Sequence, residues 1–237
     1  MYGWRAKVGV ILPSLNVTME PEFYRMAPEG VTFHFTRMFL AEGTKEGLEL
    51  MHKDVEPCTK LLMTAEVDLI LFGCTSGSLV GGVGWDTKII NQIEDISKIK
   101  AITTSTAVVD VLKAFNFRKL TIGTPYIDEV NQLEKRFLED TGFTVHNIVG
   151  LNYTTGAQLH KEDAETTYNF VRRLKLDNAD CIFLSCTDFH SLDAIKYLER
   201  DIGLPVVTSN TASMWSVLKH LGIRADMEQY GKIFTNQ

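Results

Sequence analysis

What the chain has little of narrows its possibilities first. Cysteine occurs 4 times and proline 6 times in 237 residues. Cys58, Cys74, Cys181 and Cys186 are too sparse and too far apart for a disulfide framework, and no C-x-x-C pair points to zinc or a thioredoxin-type site. Basic residues are outnumbered, with 24 Lys plus Arg against 30 Asp plus Glu and a formal charge of −6. That leaves no excess for gripping a phosphate backbone, so no nucleic-acid partner is expected. No apolar run approaches the roughly 20 residues of a membrane span. The opening stretch MYGWRAKVGVILPS reaches a proline before any signal-peptide core develops, so a soluble, cytoplasmic protein is expected, without a membrane partner. What remains is a globular composition, 45% hydrophobic and 23% charged, able to bury a core.

Short β-branched runs predict strands at Lys7–Leu12, Val31–Met38, Val67–Phe72, Ala101–Thr104, Lys119–Gly123, Thr144–Val149, Asp180–Ser185 and Pro205–Thr208. Helical spacing predicts helices at Thr44–Ala65, Asp86–Ile96, Thr106–Phe115, Ile127–Thr141, Lys161–Leu174, Ser191–Ile202 and Thr211–Leu221. Alternation of the two kinds argues for an α/β fold with mainly parallel sheets covered by helices. The runs VDLILFG and DCIFLS are apolar on both faces, as central parallel strands are.

An internal repeat sharpens this. KVGVILPS from Lys7 lies over KLTIGTPY from Lys119, and the same offset of 112 residues lays DLILFGCTS from Asp68 over DCIFLSCTD from Asp180. It pairs Asp68 with Asp180, Cys74 with Cys186 and Thr75 with Thr187. Two strand–turn units agreeing at one offset indicate two homologous α/β/α lobes. The expected division is an N-terminal lobe of residues 1–115, completed by 207–237, and a duplicate lobe of residues 116–206. In open parallel sheets ligands bind beyond the carboxyl ends of strands, so pseudo-symmetry lets Cys74 and Cys186 face one cleft.

A free cysteine is ordinarily a small buried hydrophobe, which suits Cys58 and Cys181. Cys74 and Cys186 differ because each leaves an apolar strand for a polar turn. A thiol at a strand-to-helix turn is favoured as thiolate by the amides that follow it, and a lowered pKa is expected. Two thiols on opposite faces of a substrate can act as base or nucleophile and as acid. Thr75, Ser76 and Thr187 would offer hydroxyls and N–H groups to a carboxylate, although such residues also serve as ordinary N-caps. The turns after the first strand of each lobe, Pro13-Ser14-Leu15-Asn16 and Pro125-Tyr126-Ile127-Asp128, should open onto the same cleft. There Asn16 and Tyr126 could donate to a carboxylate. His190 stands four residues after Cys186, where it could tune the thiol or cap the surface. Gly81-Gly82-Val83-Gly84 is flexible enough to belong to a lid.

The stretches VGVILPSLNVTMEPEF from Val8, FGCTSGS from Phe72, TTSTAVVDVLKAF from Thr103, PYIDEVN from Pro125, and LSCTDFHSLDAI from Leu184 on to LPVVTSNTA, ending at Ala212, together resemble the Asp/Glu racemase superfamily. Within it the chain is most similar to the maleate cis–trans isomerase and arylmalonate decarboxylase branch. The resemblance implies two lobes around one cleft, no cofactor, no metal, and a homodimer or higher homo-oligomer. It implies that Cys74 adds as thiolate to a small cis-enedioate such as maleate while Cys186 gives a proton to the neighbouring carbon. Ser14, Asn16, Thr75, Ser76, Tyr126 and Thr187 would hold the carboxylates. Decarboxylases of the branch typically carry glycine at the place of Cys74, so two cysteines favour isomerisation or racemisation. A further asparagine of maleate isomerases has no match in Leu151–Gln158: Asn152 comes early, and Gly156 stands near its place. Racemisation of an amino acid or other α-substituted acid, arylmalonate-type decarboxylation, and carboxylate binding without catalysis are the alternatives.

Overall fold

The computed structural model describes residues 1–235, so the last two residues of the expected C-terminal segment lie outside the described residues. In chain order the elements are β1 (Ala6–Pro13), α1 (Met19–Met26), β2 (Val31–Met38), α2 (Lys45–Met51), α3 (Val55–Met63), β3 (Leu69–Phe72), α4 (Thr75–Leu79), α5 (Trp85–Ser97), β4 (Ala101–Thr103), α6 (Thr104–Ala114), β5 (Lys119–Thr124), α7 (Asp128–Asp140), β6 (Thr144–Gly150), α8 (Gly156–Leu159), α9 (Ala164–Val171), β7 (Cys181–Leu184), α10 (Leu192–Ile202), β8 (Val206–Thr208) and α11 (Ser209–His220). All eight expected strands form. They make two four-stranded parallel sheets of the same order, β2-β1-β3-β4 and β6-β5-β7-β8.

The repeat has a local physical cause. At the foot of each central strand an aspartate clamps the neighbouring strand. Asp68 accepts the Lys7 N–H at 2.8 Å, and Asp180 accepts those of Arg118 and Lys119 at 2.7 and 2.8 Å. At the far ends Thr103 and Thr208 cap α6 and α11 by accepting the N–H of Thr106 and Thr211. β3 and β7 are buried along their whole length, so their apolar runs face helices on both sides. One apolar cluster joins residues of both sheets, with α6 and α11 packed against each other within it; a second lies between the first sheet and α2, α3 and α5.

Two helical expectations change, and three helices, α1, α4 and α8, form outside the expected set. The single helix over Thr44–Ala65 is two, α2 and α3, joined by a 3₁₀ turn at His52–Asp54. Pro57 has no N–H for the carbonyl a turn earlier, and restarting the helix at Val55 puts this proline in a first turn, where no donor is needed. The helix over Lys161–Leu174 begins only at Ala164, where Asp163 accepts the Thr166 N–H at 2.8 Å. Helix α1 was not expected. Its first turn contains Pro21, but Met19, Phe23 and Met26 bury one face at helical spacing.

Candidate active site

The carboxyl ends of β1, β3, β5 and β7 converge on a cavity lined by both cysteine turns. It is small, offering about 60 Å³ to the centres of water-sized molecules. Cys74 caps the short helix α4, its sulfur accepting the Gly77 N–H at 3.3 Å. Cys186 sits at φ 110°, a backbone conformation that costs a non-glycine residue on the order of 1–3 kcal/mol. Three hydrogen bonds hold it there: its N–H donates to Ser209 Oγ at 3.0 Å, its sulfur accepts the Asp188 N–H at 3.4 Å, and its carbonyl accepts the Phe189 N–H at 3.3 Å. The same Ser209 oxygen accepts the Thr75 hydroxyl at 2.8 Å, so one serine ties the two cysteine turns together.

The thiols do not have the lowered pKa expected of them. Burial pushes Cys74 up to about 11, although the Gly77 N–H and Ser76 pull it down. Cys186 is pushed further up, first by burial and then by Asp188. Long sulfur hydrogen bonds of this kind do not offset removal from water.

Asn16, Thr75, Ser76, Tyr126 and Thr187 all line the cavity, as expected, and Ser14 does not. Ser14 turns outward, its hydroxyl accepting the Leu40 N–H at 3.1 Å. Asn16 is partly committed to the scaffold: its Oδ1 accepts the N–H groups of Thr18 and Met19, and its Nδ2 donates to the Thr187 hydroxyl at 3.0 Å. Thr187 passes the connection on to the Gly73 carbonyl at 3.1 Å. The Tyr126 hydroxyl is buried without a hydrogen-bond partner among the described residues, and burial pushes its phenol well above the ordinary range. It therefore stays a donor aimed into the site.

Cys58 and Cys181 are buried packing residues, as expected. His190 lies at the surface 3.5 Å from Asp193, away from the cavity. Gly81–Gly84 forms the turn into α5 and takes no part in the lining. The place near Gly156 is filled from behind by His160, since a Cβ there would come within 2.9 Å of its ring.

Sequence reasoning missed Asp188 and His160. Asp188 is buried and lines the cavity. Its Oδ1 accepts the N–H groups of Val17 and Thr18 at 2.7 and 3.1 Å, and its Oδ2 meets His160 Nε2 at 3.1 Å. It thus joins the loop after β1 to the segment around α8, which also contacts the first lobe where the Gly43 N–H donates to the Thr154 carbonyl. Equivalence to Ser76 in the repeat marks the position of Asp188, but no sequence signal marks His160. Among the described residues no Lys, Arg or His lines the cavity. Among the described residues no cluster of three or more His, Cys, Asp or Glu could hold a metal ion.

Comparison with known proteins agrees with this geometry. The family model for arylmalonate decarboxylase matches residues 8–234. A maleate isomerase of Alcaligenes faecalis is 27% identical, over 97% of this chain and 96% of its own. The structure of a cysteine-to-alanine variant of the maleate isomerase of Pseudomonas putida S16, with maleate, superposes with a TM-score of 0.93 at 25% identity, covering 97% of each chain. A cysteine-to-serine variant of the Nocardia farcinica maleate cis–trans isomerase, carrying a covalently bound succinylcysteine intermediate, also gives 0.93 at 25% identity, covering 98% of this chain and 99% of that one.

Proposed function

The chain belongs to the arylmalonate decarboxylase family, and from this we propose that it is an enzyme catalysing cis–trans isomerisation of a small dicarboxylate, maleate in the first instance. The observation that carries the reading is the pair of thiols at equivalent positions of the repeat, opening into one small cavity without a cation. The sequence resemblance to the maleate isomerase and arylmalonate decarboxylase branch agrees with the relatives and with the family model. An arylmalonate decarboxylase of Bordetella bronchiseptica is similar over 96% of this chain as well, so what disfavours decarboxylation is the second thiol, Cys74; racemisation is not favoured because the relatives with two such lobes include maleate isomerases, one of which carries a succinylcysteine.

In the proposed reaction Cys74, as thiolate, forms a C–S bond to one alkene carbon. The displaced electron pair takes the proton of the Cys186 thiol at the other carbon, leaving a Cys186 thiolate. The former double bond is now single and rotates. Cys186 then removes the proton from that same carbon, the C–C double bond re-forms, and the C–S electron pair returns to Cys74. The cycle starts after Cys74 has lost its proton to solvent, the alkene supplies the electron pair that takes the Cys186 proton, and both the Cys74 thiolate and the Cys186 thiol are restored at the end. The Cys186 thiolate of the intermediate faces the Asp188 N–H and Tyr126. The Tyr126 hydroxyl, the remaining Asn16 amide hydrogen, the Ser76 hydroxyl and the N–H groups of Thr75, Ser76 and Thr187 are the donors we assign to the carboxylates. A fixed array of neutral donors substitutes for water around an anion without needing a cation.

Two coarser readings accompany this one. We propose that the lobes divide near residues 115 and 207, with the chain returning to the first lobe through α11, and that the protein works in the cytoplasm as a homodimer or larger homo-oligomer. Adding maleate and following fumarate tests the reaction. Cys74→Ala and Cys186→Ala are each expected to lower kcat at least about 10³-fold; full activity in either variant would reject the two-thiol scheme.

A further inference from the structure

Two glutamates are buried behind the cavity, Glu22 on α1 and Glu134 on α7. They stand 112 residues apart, the offset that relates Cys74 to Cys186, and so occupy one position of the repeat. In the second lobe Glu134 Oε1 accepts the hydroxyl of Ser185, the residue before Cys186, at 2.6 Å. Its Oε2 is buried without a partner among the described residues. In the first lobe the residue before Cys74 is Gly73, which has no hydroxyl, and a Cβ there would come within 2.8 Å of Met19 Sδ.

Glu22 accordingly does not serve Cys74. Its Oε1 accepts the N–H groups of Ser191 and Leu192, and its Oε2 accepts from Asn210 Nδ2 at 2.7 Å. Asn210 also donates to the carbonyl of Thr187, the residue after Cys186, at 3.0 Å. Both copies of a duplicated carboxylate therefore act on the Cys186 turn, one from each side, and neither acts on the Cys74 turn.

We propose that Glu134 is a positioning residue acting on Cys186 through Ser185, fixing its turn and placing negative charge behind it, so that Cys186 keeps its proton and Cys74 is the thiol that ionises. The proposal rests on the two-thiol reading above and explains why two duplicated cysteines could divide the roles of nucleophile and acid. The titratable groups facing Cys186 are Asp188, Cys74 and Tyr126, of which the first two raise its pKa and Tyr126 lowers it. Cys74 meets Asp188 as its one opposing carboxylate. Glu134 itself faces Ser185 and Tyr126, and burial lifts its carboxyl to about 7, so it is mainly ionised at pH 8.

The experiment is native alkylation of the full chain by iodoacetamide at pH 8, with a rate for each cysteine read by mass spectrometry. Buried Cys58 and Cys181 serve as internal references. Glu134→Gln keeps the shape and an acceptor for Ser185 while removing the charge. It is expected to speed alkylation of Cys186 about 5-fold and to leave Cys74 within about 2-fold, with kcat lowered and KM little changed. An unchanged Cys186 rate in the folded variant, or an equal rise at both thiols, would overturn the proposal. Should that variant not fold, Ser185→Ala removes the hydrogen bond that favours the Glu134 carboxylate and is expected to give the same selective rise, with the same results counting against it. Labelling needs no substrate, so a wild-type chain inactive on maleate whose Glu134→Gln variant still gives the selective rise would reject the reaction and leave the Glu134–Cys186 coupling standing.

Discussion

At the scale of single residues the site works by what burial does to a few polar atoms. Among the described residues Tyr126 has no geometric hydrogen-bond partner for its hydroxyl, and its raised pKa keeps it protonated, so it enters the substrate complex as a donor. Tyr126→Phe is expected to raise KM and lower kcat, each about 10-fold, in steady-state assays; wild-type constants would remove it from the site. Cys74 makes the opposite demand, since it must lose a proton that burial holds up to about 11. Below that value its thiolate fraction grows tenfold with each pH unit, so kcat/KM should climb steeply between about pH 7 and 9; a flat profile would mean that Cys74 does not have to ionise. Most of these residues were legible because the repeat places them at strand ends, where the fold itself opens a cleft. Ser14 was misplaced because its equivalence to Tyr126 says where the backbone goes, not which way a short side chain turns. His160 was invisible because its partner, Asp188, is reached only once the α8 segment folds over the cavity.

At the scale of elements, strands were easier to read than helices. A central strand is recognised by continuous apolar residues, and β3 and β7 obey that rule along their whole length. Helix ends depend on caps and prolines that a periodicity cannot weigh, so Pro57 splits one expected helix and Pro21 conceals α1. The aspartates at the feet of β3 and β7 give the duplicated sheets a common anchor. Asp180 accepts two backbone N–H groups where Asp68 accepts one. Asp180→Ala should therefore destabilise the protein by about 1–2 kcal/mol and Asp68→Ala by about half as much, read as shifts in the urea midpoint at constant slope. Equal losses would reject the number of accepted N–H groups as the cause of the difference, and no loss at either would mean that the strands hold their register without these clamps.

At the scale of the whole molecule, the two lobes share one apolar cluster and are bound together around the cavity by Asn16–Thr187, Cys186–Ser209 and the Asp188 contacts. The cost of assembling such a site in a chain of net charge −6 lies in its buried carboxylates. Glu22, Glu134 and Asp188, with half-buried Glu199 away from the cavity, all have pKa values raised mainly by burial. The sign follows from proton counting. Between the ordinary value of 4.5 and about 7, folded Glu134 keeps a proton that the unfolded chain has released, so stability falls as pH rises through that window and levels off above it. At about 1.4 kcal/mol per pH unit the loss assigned to Glu134 is on the order of 3 kcal/mol, an upper bound once relaxation of the site is allowed for. Glutamine carries no such proton. Urea unfolding of the wild type and of Glu134→Gln at pH 5 and pH 8 should therefore show a smaller drop in the variant, with the remaining decline due to the other three carboxylates. Identical drops would place the charge of Glu134 outside the energetics of the fold, and with it the electrostatic part of its proposed hold on Cys186.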